Sequence, residues 1–123
     1  MSKAIAILLE VILMSLSSLS APAPSETILI EDVRLTAYCS CEKCCGKTDG
    51  ITATGVKATA GKTIAVDPKA IPYGTKVEIY GKTYVAEDCG GAIKGNKRID
   101  IYCDSHRTAL EFGVQYADVK VEI

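Results

Sequence analysis

The sequence carries almost no net charge, because 14 Lys and Arg residues stand against 15 Asp and Glu in 123 residues. This balance excludes a nucleic-acid binder that works by neutralising phosphates, and no polybasic patch is present to hold an anionic membrane. There is no Trp, one Phe and a single histidine, His106. Since no Ser or Cys lies in a recognisable nucleophile motif, a catalytic triad is not expected. We expect His106 to be a solvated residue in the first turn of a helix.

What the chain does contain is an ordinary apolar fraction and many cysteines. Hydrophobic residues make up 48% of the chain, which argues against disorder, and the length suits one domain. Six cysteines are many for this length and need an explanation.

Residues 1–24 are predicted to be a secretory signal and not part of the fold. Lys3 supplies the positive charge, and residues 4–16 form an apolar stretch too short to span a bilayer comfortably. Glu10 is unfavourable within this stretch, and an uncleaved N-terminal hydrophobic anchor is the alternative. The predicted domain covers residues 25–123 and is secreted, so that its thiols can oxidise.

Alternation of apolar and polar residues with period two dominates the mature chain. Strands are predicted at residues 28–30, 33–38, 63–66, 76–80, 83–86, 98–102 and 119–123. Gly81-Lys82 is predicted to be a two-residue hairpin link of type II′. One helix is predicted, with Asp104 or Ser105 as its N-cap and Gly113 as its stop. Many short strands with one helix indicate a small β-barrel or sandwich.

Three aspartates stand at notable places in this pattern. Asp67 and Asp88 each follow a predicted strand, and Asp100 lies between Ile99 and Ile101. For Asp67 and Asp88, turn formation or ion pairing is an equally good interpretation. A carboxylate inside an apolar strand has no such local explanation. Asp100 is therefore the strongest candidate for a functional group.

Side-chain parity brings two carboxylates together if their strands are neighbours. Asp88 and Asp100 would then share one face, and Cys89 and Cys103 the other. Like charges in close proximity raise one pKa above the ordinary value of about 3.9. The result is a carboxylic acid able to donate a proton near neutral pH, as glycosidic bond cleavage requires.

Seven short stretches together carry a family resemblance. They are Thr52–Gly55, Thr63–Pro68, Ile71–Thr75, Glu87–Gly95, Arg98–Tyr102, Asp104–His106 and Phe112–Gly113. Each is weak alone, but their order and spacing are specific. With them, the chain from Tyr38 to about Val114 resembles the 3D domain, named for three Asp, of bacterial cell-wall proteins. These domains are similar to the double-psi β-barrel catalytic domain of the MltA-type lytic transglycosylases.

The resemblance implies a mainly β fold, a six-stranded double-psi β-barrel with one short helix. It implies a secreted enzyme that cuts the MurNAc–GlcNAc bond of peptidoglycan glycan strands and leaves a 1,6-anhydro-MurNAc end. Asp100 falls on the family's general acid/base position, and Asp67 and Asp88 fall on the other two Asp, which would line the groove. Because the nucleophile is the sugar's own 6-hydroxyl, no cofactor or metal is expected.

Three further residues are candidates for binding the substrate. Thr54 falls on a recurrent polar position of the family, and Lys94 follows a glycine pair. Tyr102 shares a strand face with Asp100 and would stack on a sugar ring. Some family members bind glycan without cutting it, so a non-catalytic glycan-binding module on the same barrel is the alternative function.

The cysteines admit two interpretations. Four form a dense cluster: Cys39, Cys41, Cys44 and Cys45. Thiolates at such spacings can bind zinc, although structural zinc sites usually take their ligands from two separated segments. In an exported chain we favour disulfides. Parity indicates a Cys89–Cys103 pair and leaves the cluster to pair internally, Cys39 or Cys41 with Cys44 or Cys45, since a bond between adjacent cysteines is strained.

Overall fold

The computed structural model describes residues 26–41 and 49–123. Its elements, in chain order, are β1 (Thr27–Tyr38), β2 (Thr63–Ala65), β3 (Lys76–Ile79), β4 (Lys82–Asp88), β5 (Arg98–Tyr102), α1 (His106–Phe112) and β6 (Gln115–Glu122). The predicted signal at residues 1–24 lies outside the described residues. In the described part of the chain, no helix has both the length and the apolar character needed to cross a membrane.

The six strands close into a barrel in the order β1-β5-β2-β4-β3-β6. β1 runs parallel to β5 and β2 runs parallel to β4, whereas the other neighbouring pairs are antiparallel. Closure gives each strand two neighbours, which protects backbone groups that an open sheet would expose at its edges. The mainly β, six-stranded barrel with one short helix that the resemblance implies is confirmed.

β1 joins two of the predicted strands into one. The register against β6 shifts between Ile30 and Val33, where a bulge takes up the extra residues. Asp32 sits in this bulge with a φ of 55°, and its backbone N–H donates to Asp118 Oδ1 at 2.9 Å. The strand therefore bends without breaking, and the polar residues Glu31 and Asp32, which separate the two predicted strands, form the bulge.

The hairpin between β3 and β4 differs from the prediction. Ile79 pairs with Lys82, so the two linking residues are Tyr80 and Gly81, and not Gly81-Lys82. Their φ values are 52° and 77°, and positive φ at both positions belongs to a type I′ turn. The type II′ prediction was wrong because it assumed that Tyr80 continues β3.

The helix has the caps that the sequence predicts. Ser105 is the N-cap, and its hydroxyl accepts a hydrogen bond from the Thr108 backbone N–H at 3.1 Å. Gly113 ends α1 with a φ of 64°, and its N–H donates to the Ala109 carbonyl at 3.4 Å. The buried Ala109 lies within a helix that packs on β1.

Two groups of buried side chains support the barrel. The larger fills the interior with aliphatic residues from all six strands, together with Val66 and Ile71, which follow β2. The smaller consists of Tyr38, Ala65 and Ile93, with Tyr102 packed against it. The smaller group lies where β1, β2 and β5 meet, and it forms the base of the site described next.

Candidate functional site

An open cavity of about 420 Å³ lies where β1, β2, β4 and β5 approach one another. Its wall consists of the end of β1, the segment around residues 49–58, Ala65 of β2, the end of β4 with the loop that follows it, and Asp100 of β5. Two of the three predicted aspartates, Asp88 and Asp100, line it. The barrel thus brings together two carboxylates that are distant in the sequence.

The two carboxylates flank Ala65 and do not sit on neighbouring strands. Ala65 is in register with Asp100 on one side and with Asp88 on the other, so the three side chains project to the same face. Two strand spacings separate the backbones of Asp88 and Asp100 by about 9–10 Å. The condition set for their meeting, that β4 and β5 are neighbours, is not met, because β2 lies between them. The small Ala65 side chain leaves space between the carboxylates.

Asp100 is half-buried and holds a hydrogen bond across the β1–β5 ladder. Its register partner Thr36 donates from Oγ1 to Asp100 Oδ1 at 3.0 Å. Burial raises the pKa of Asp100 above its ordinary value, against the opposing effects of the Thr36 hydrogen bond and the charge of Arg98. The charge of Asp88 raises the pKa of Asp100 further but contributes least. With Oδ1 engaged by Thr36, the proton of neutral Asp100 belongs on Oδ2.

Asp88 is held as a hydrogen-bond acceptor from three directions. The Tyr38 hydroxyl donates to Oδ2 at 2.9 Å, and the backbone N–H groups of Ala53 and Cys89 each donate to Oδ1 at 2.9 Å. These bonds connect the end of β1, the segment around Ala53 and the end of β4. Asp88 therefore fixes the shape of the cavity wall while presenting negative charge to it.

Asp67 does not line this cavity, contrary to the expectation from the resemblance. Its carboxylate accepts the backbone N–H of Gly95 at 2.8 Å and that of Lys69 at 3.1 Å. These two hydrogen bonds hold the pKa of Asp67 below its ordinary value. The geometry supports the turn-forming interpretation, in which Asp67 links the loop after β2 to the loop between β4 and β5.

The three predicted substrate-binding residues lie outside the cavity wall. Thr54 donates from Oγ1 to the Glu87 carbonyl at 2.9 Å, so its hydroxyl supports the end of β4. Lys94 is exposed beside Asp67. The Tyr102 hydroxyl lies 2.7 Å from Ser40 Oγ, so Tyr102 supports a residue of the wall from behind. Stacking of a sugar on Tyr102 stays a prediction.

Two residues that shape the site, Tyr38 and Ser40, are not among the site residues predicted from the sequence. Tyr38 is buried in the smaller core group, and it also lines the cavity and donates to Asp88. Its ring packs edge-to-face on Tyr102, with centroids 5.4 Å apart. The sequence pattern could have indicated Tyr38, because it lies on the same face of β1 as Thr36 and is the last residue of that strand. No comparable pattern marks Ser40, which lies beyond β1.

The predicted Cys89–Cys103 disulfide is not present in the structure. The parity argument paired these residues on neighbouring strands, but β2 separates β4 from β5. Cys103 Sγ lies 3.9 Å from the Ile101 carbonyl oxygen. Cys89 lies beside Tyr73, and a side-chain hydrogen bond from this neighbour, with burial, raises the pKa of Tyr73 to about 12. Cys44 and Cys45 lie outside the described residues, as does their predicted pairing with Cys39 or Cys41.

His106 is not the solvated helix residue that the sequence predicts. It is partly buried, and its Nδ1 lies 3.3 Å from Cys41 Sγ and 3.8 Å from Cys39 Sγ. The prediction was wrong because the end of β1 passes beside the start of α1, which no local pattern reveals. The donor atoms of these three residues form a compact group outside the carboxylate cavity.

A family model for the 3D domain matches residues 62–123, which include Asp67, Asp88 and Asp100. The chain belongs to the 3D domain family. It is 46% identical over 94 residues to the cell wall-binding protein YocH of Bacillus subtilis (strain 168), an alignment that covers 72% of this chain and 31% of YocH. It is 37% identical over 118 residues to the putative cell wall shaping protein YabE of the same organism, covering 85% of this chain and 28% of YabE. The chain thus spans less than a third of the length of these curated relatives.

The barrel is also similar to a solved enzyme structure. A crystal structure of MltA from Escherichia coli, described as a unique lytic transglycosylase fold, superposes with a TM-score of 0.50 and 25% identity. The match covers 59% of this chain and 27% of MltA. The resemblance to the 3D domain and to the MltA-type barrel is therefore confirmed.

Proposed function

We propose that this chain is a peptidoglycan lytic transglycosylase in which Asp100 is the general acid and base. The observation that carries the proposal is the half-buried Asp100 carboxyl, whose pKa is raised by burial, opening on the same cavity as Asp88. The match to a lytic transglycosylase fold supports the reaction class, and relatives named for binding or shaping the cell wall support the substrate. A secreted chain acting at the cell wall, with residues 25–123 as its domain, is part of the same proposal.

In the first step, Asp100 protonates the glycosidic oxygen between MurNAc and GlcNAc. The proton leaves Oδ2, which is the oxygen not engaged by Thr36. As the bond to the leaving sugar lengthens, positive charge develops at the anomeric carbon of MurNAc. The negative charge of Asp88 on the opposite side of Ala65 stabilises that charge electrostatically.

In the second step, the Asp100 carboxylate takes the proton from the 6-hydroxyl of the same MurNAc. The hydroxyl oxygen closes on the anomeric carbon and gives the 1,6-anhydro ring, and Asp100 is again protonated. One carboxyl group thus serves both steps, because the nucleophile belongs to the substrate. The separation of Asp88 from Asp100 is compatible with this scheme, since Asp88 does not have to reach the anomeric carbon.

Peptidoglycan incubation with matched variants tests the proposal. The wild-type protein is expected to release soluble glycan fragments, and Asp100→Asn is expected to lower the rate by about 10²- to 10⁴-fold, the usual effect of removing a general acid and base. Asp104→Asn makes the same change at an exposed residue beyond β5 and should leave the rate unchanged. Sedimentation with insoluble peptidoglycan measures binding in the same samples. Equal release by wild type and Asp100→Asn would contradict the proposal.

A non-catalytic glycan-binding module is the second candidate function. The observation in its favour is the name of a relative, the cell wall-binding protein YocH, whose aligned part has 46% identity to this chain. This function predicts that wild type and Asp100→Asn both sediment with peptidoglycan and that neither releases fragments. The same experiment therefore distinguishes the two functions.

A further inference from the structure

Three metal-ligating side chains meet at the junction of β1 and α1. Cys39 follows β1 directly, Cys41 lies two residues later, and His106 is the first residue of α1. The donor atoms Sγ, Sγ and Nδ1 all lie within 4.8 Å of one another. The cluster includes residues 67 and 65 positions apart in the sequence, so the fold and not local spacing assembles it.

The distances match those between ligands of a tetrahedral zinc ion. Zinc–sulfur bonds of about 2.3 Å and zinc–nitrogen bonds of about 2.0–2.1 Å place sulfur and nitrogen ligands about 3.6 Å apart at tetrahedral angles. The observed Nδ1 to Sγ distances of 3.3 and 3.8 Å lie on either side of this value. A small shift of the His106 ring would equalise them.

We propose that Cys39, Cys41 and His106 bind a zinc ion. Two thiolates with one imidazole form a donor set that zinc prefers over magnesium or calcium, which favour oxygen ligands. Cys39 is only 2% exposed, so the bound ion would be partly shielded from solvent and chelators. A fourth ligand outside this trio would complete the tetrahedron.

The position of this site indicates a structural role. Ser40 lies between the two cysteine ligands and forms part of the carboxylate cavity wall, where its Oγ is 2.7 Å from the Tyr102 hydroxyl. A metal that joins the end of β1 to the start of α1 would fix Ser40 in this wall. The three ligands themselves do not line the cavity, so the ion is not placed to touch a sugar bound there. Zinc binding does not depend on the proposed catalytic function.

Metal analysis of the full chain, purified without chelators, tests the site. We expect about one zinc per chain by elemental mass spectrometry, and a content at least about tenfold lower in Cys41→Ser and in His106→Gln. Cys89→Ser is the matched control, since it removes an exposed thiol that is not part of the cluster and should keep its zinc. His106→Gln changes a helix residue at the barrel surface, which keeps the test valid if the Cys41 variant does not fold.

Cobalt substitution of the wild-type protein gives an independent readout. Bound Co²⁺ should show thiolate-to-metal charge-transfer bands and the intense visible bands of a tetrahedral site, and His106→Gln should alter both. Three results would overturn the proposal: zinc-free wild-type protein, zinc retained by both ligand variants, or a disulfide at Cys39 or Cys41 found by peptide mapping. Because these readouts involve no glycan, failure of the zinc site and failure of the proposed activity are distinguishable.

Discussion

At the scale of single residues, Asp100 and Asp67 have the same side chain, but their surroundings shift its pKa in opposite directions. Asp100 is half-buried beside Ile99 and Ile101, and burial raises its pKa. Asp67 accepts the backbone N–H groups of Lys69 and Gly95, which lower its pKa. The first arrangement destabilises the carboxylate and favours proton transfer, whereas the second stabilises the carboxylate and orders a loop.

The raised pKa of Asp100 predicts a stability gain from its replacement. A carboxyl with a higher pKa in the folded than in the unfolded chain binds more protons when folded, so stability falls as pH rises through the interval between the two values. Asp100→Asn removes this pH-dependent loss of stability, and the Asn side-chain oxygen can still accept the hydrogen bond from Thr36. We expect its Tm to exceed that of wild type at pH 7 and the difference to vanish below the ordinary pKa of about 3.9. An Asn variant less stable at pH 7 would contradict this assignment.

The lowered pKa of Asp67 predicts the opposite dependence. Its contribution to stability is fully present above the unfolded pKa and is lost as pH falls through the folded value. Asp67→Asn should therefore lower Tm at pH 7 but not at strongly acidic pH, as thermal melts across pH would show. Because Asp67 does not line the cavity, the variant should keep far more glycan-cleaving activity than Asp100→Asn. Equal inactivation of both variants would place Asp67 in the chemistry.

At the scale of elements, the short strands are stabilised by pairing with a neighbour on each side in the closed barrel. β2 has three residues and β3 has four, too few to be stable alone. β2 nevertheless carries Ala65 between the two carboxylates, so its register determines the site. A one-residue slip of β2 would turn Ala65 away from the cavity.

The hairpin turn gives a prediction for one glycine. Gly81 has a φ of 77°, which an L side chain adopts only at a cost, and nothing lies within 4 Å of an added Cβ. Gly81→Ala should therefore destabilise the fold through backbone strain alone, by about 1–2 kcal/mol. Gly91→Ala is the control, since that position is equally open and has no positive φ. Urea unfolding midpoints measure both, and equal midpoints would show that the turn tolerates a side chain.

Replacement of a fully buried residue in β2 tests the role of that strand. Ile64 has 0% exposure and pairs with Ala86 in β4 and Ile101 in β5. Ile64→Ala should lower the free energy of unfolding by about 2–5 kcal/mol, because it removes buried methyl groups and leaves a cavity. The same denaturant titrations give this value. A loss below about 1 kcal/mol would mean that the barrel relaxes around the shortened side chain.

At the scale of the whole molecule, the sequence predicted the positions of the strands and the helix better than it predicted which strands lie side by side. Alternation located all six strands approximately, and capping rules located α1, because both depend on local chemistry. Strand order depends on closure of the barrel, so the predicted Cys89–Cys103 pair, which required β4 and β5 to be neighbours, was wrong. Asp100 could be singled out because it breaks an apolar run, whereas the approach of His106 to Cys39 and Cys41 required the fold.

In the proposed mechanism, one carboxyl, Asp100, cuts the glycan with the substrate's own hydroxyl as nucleophile. Digestion of peptidoglycan in H₂¹⁸O, followed by mass spectrometry of the released glycan ends, tests it most directly. The proposed mechanism predicts 1,6-anhydro-MurNAc ends that are lighter by one water and carry no ¹⁸O, formed by wild type and not by Asp100→Asn. Reducing MurNAc ends that contain ¹⁸O, or anhydro ends released equally by Asp100→Asn, would contradict it.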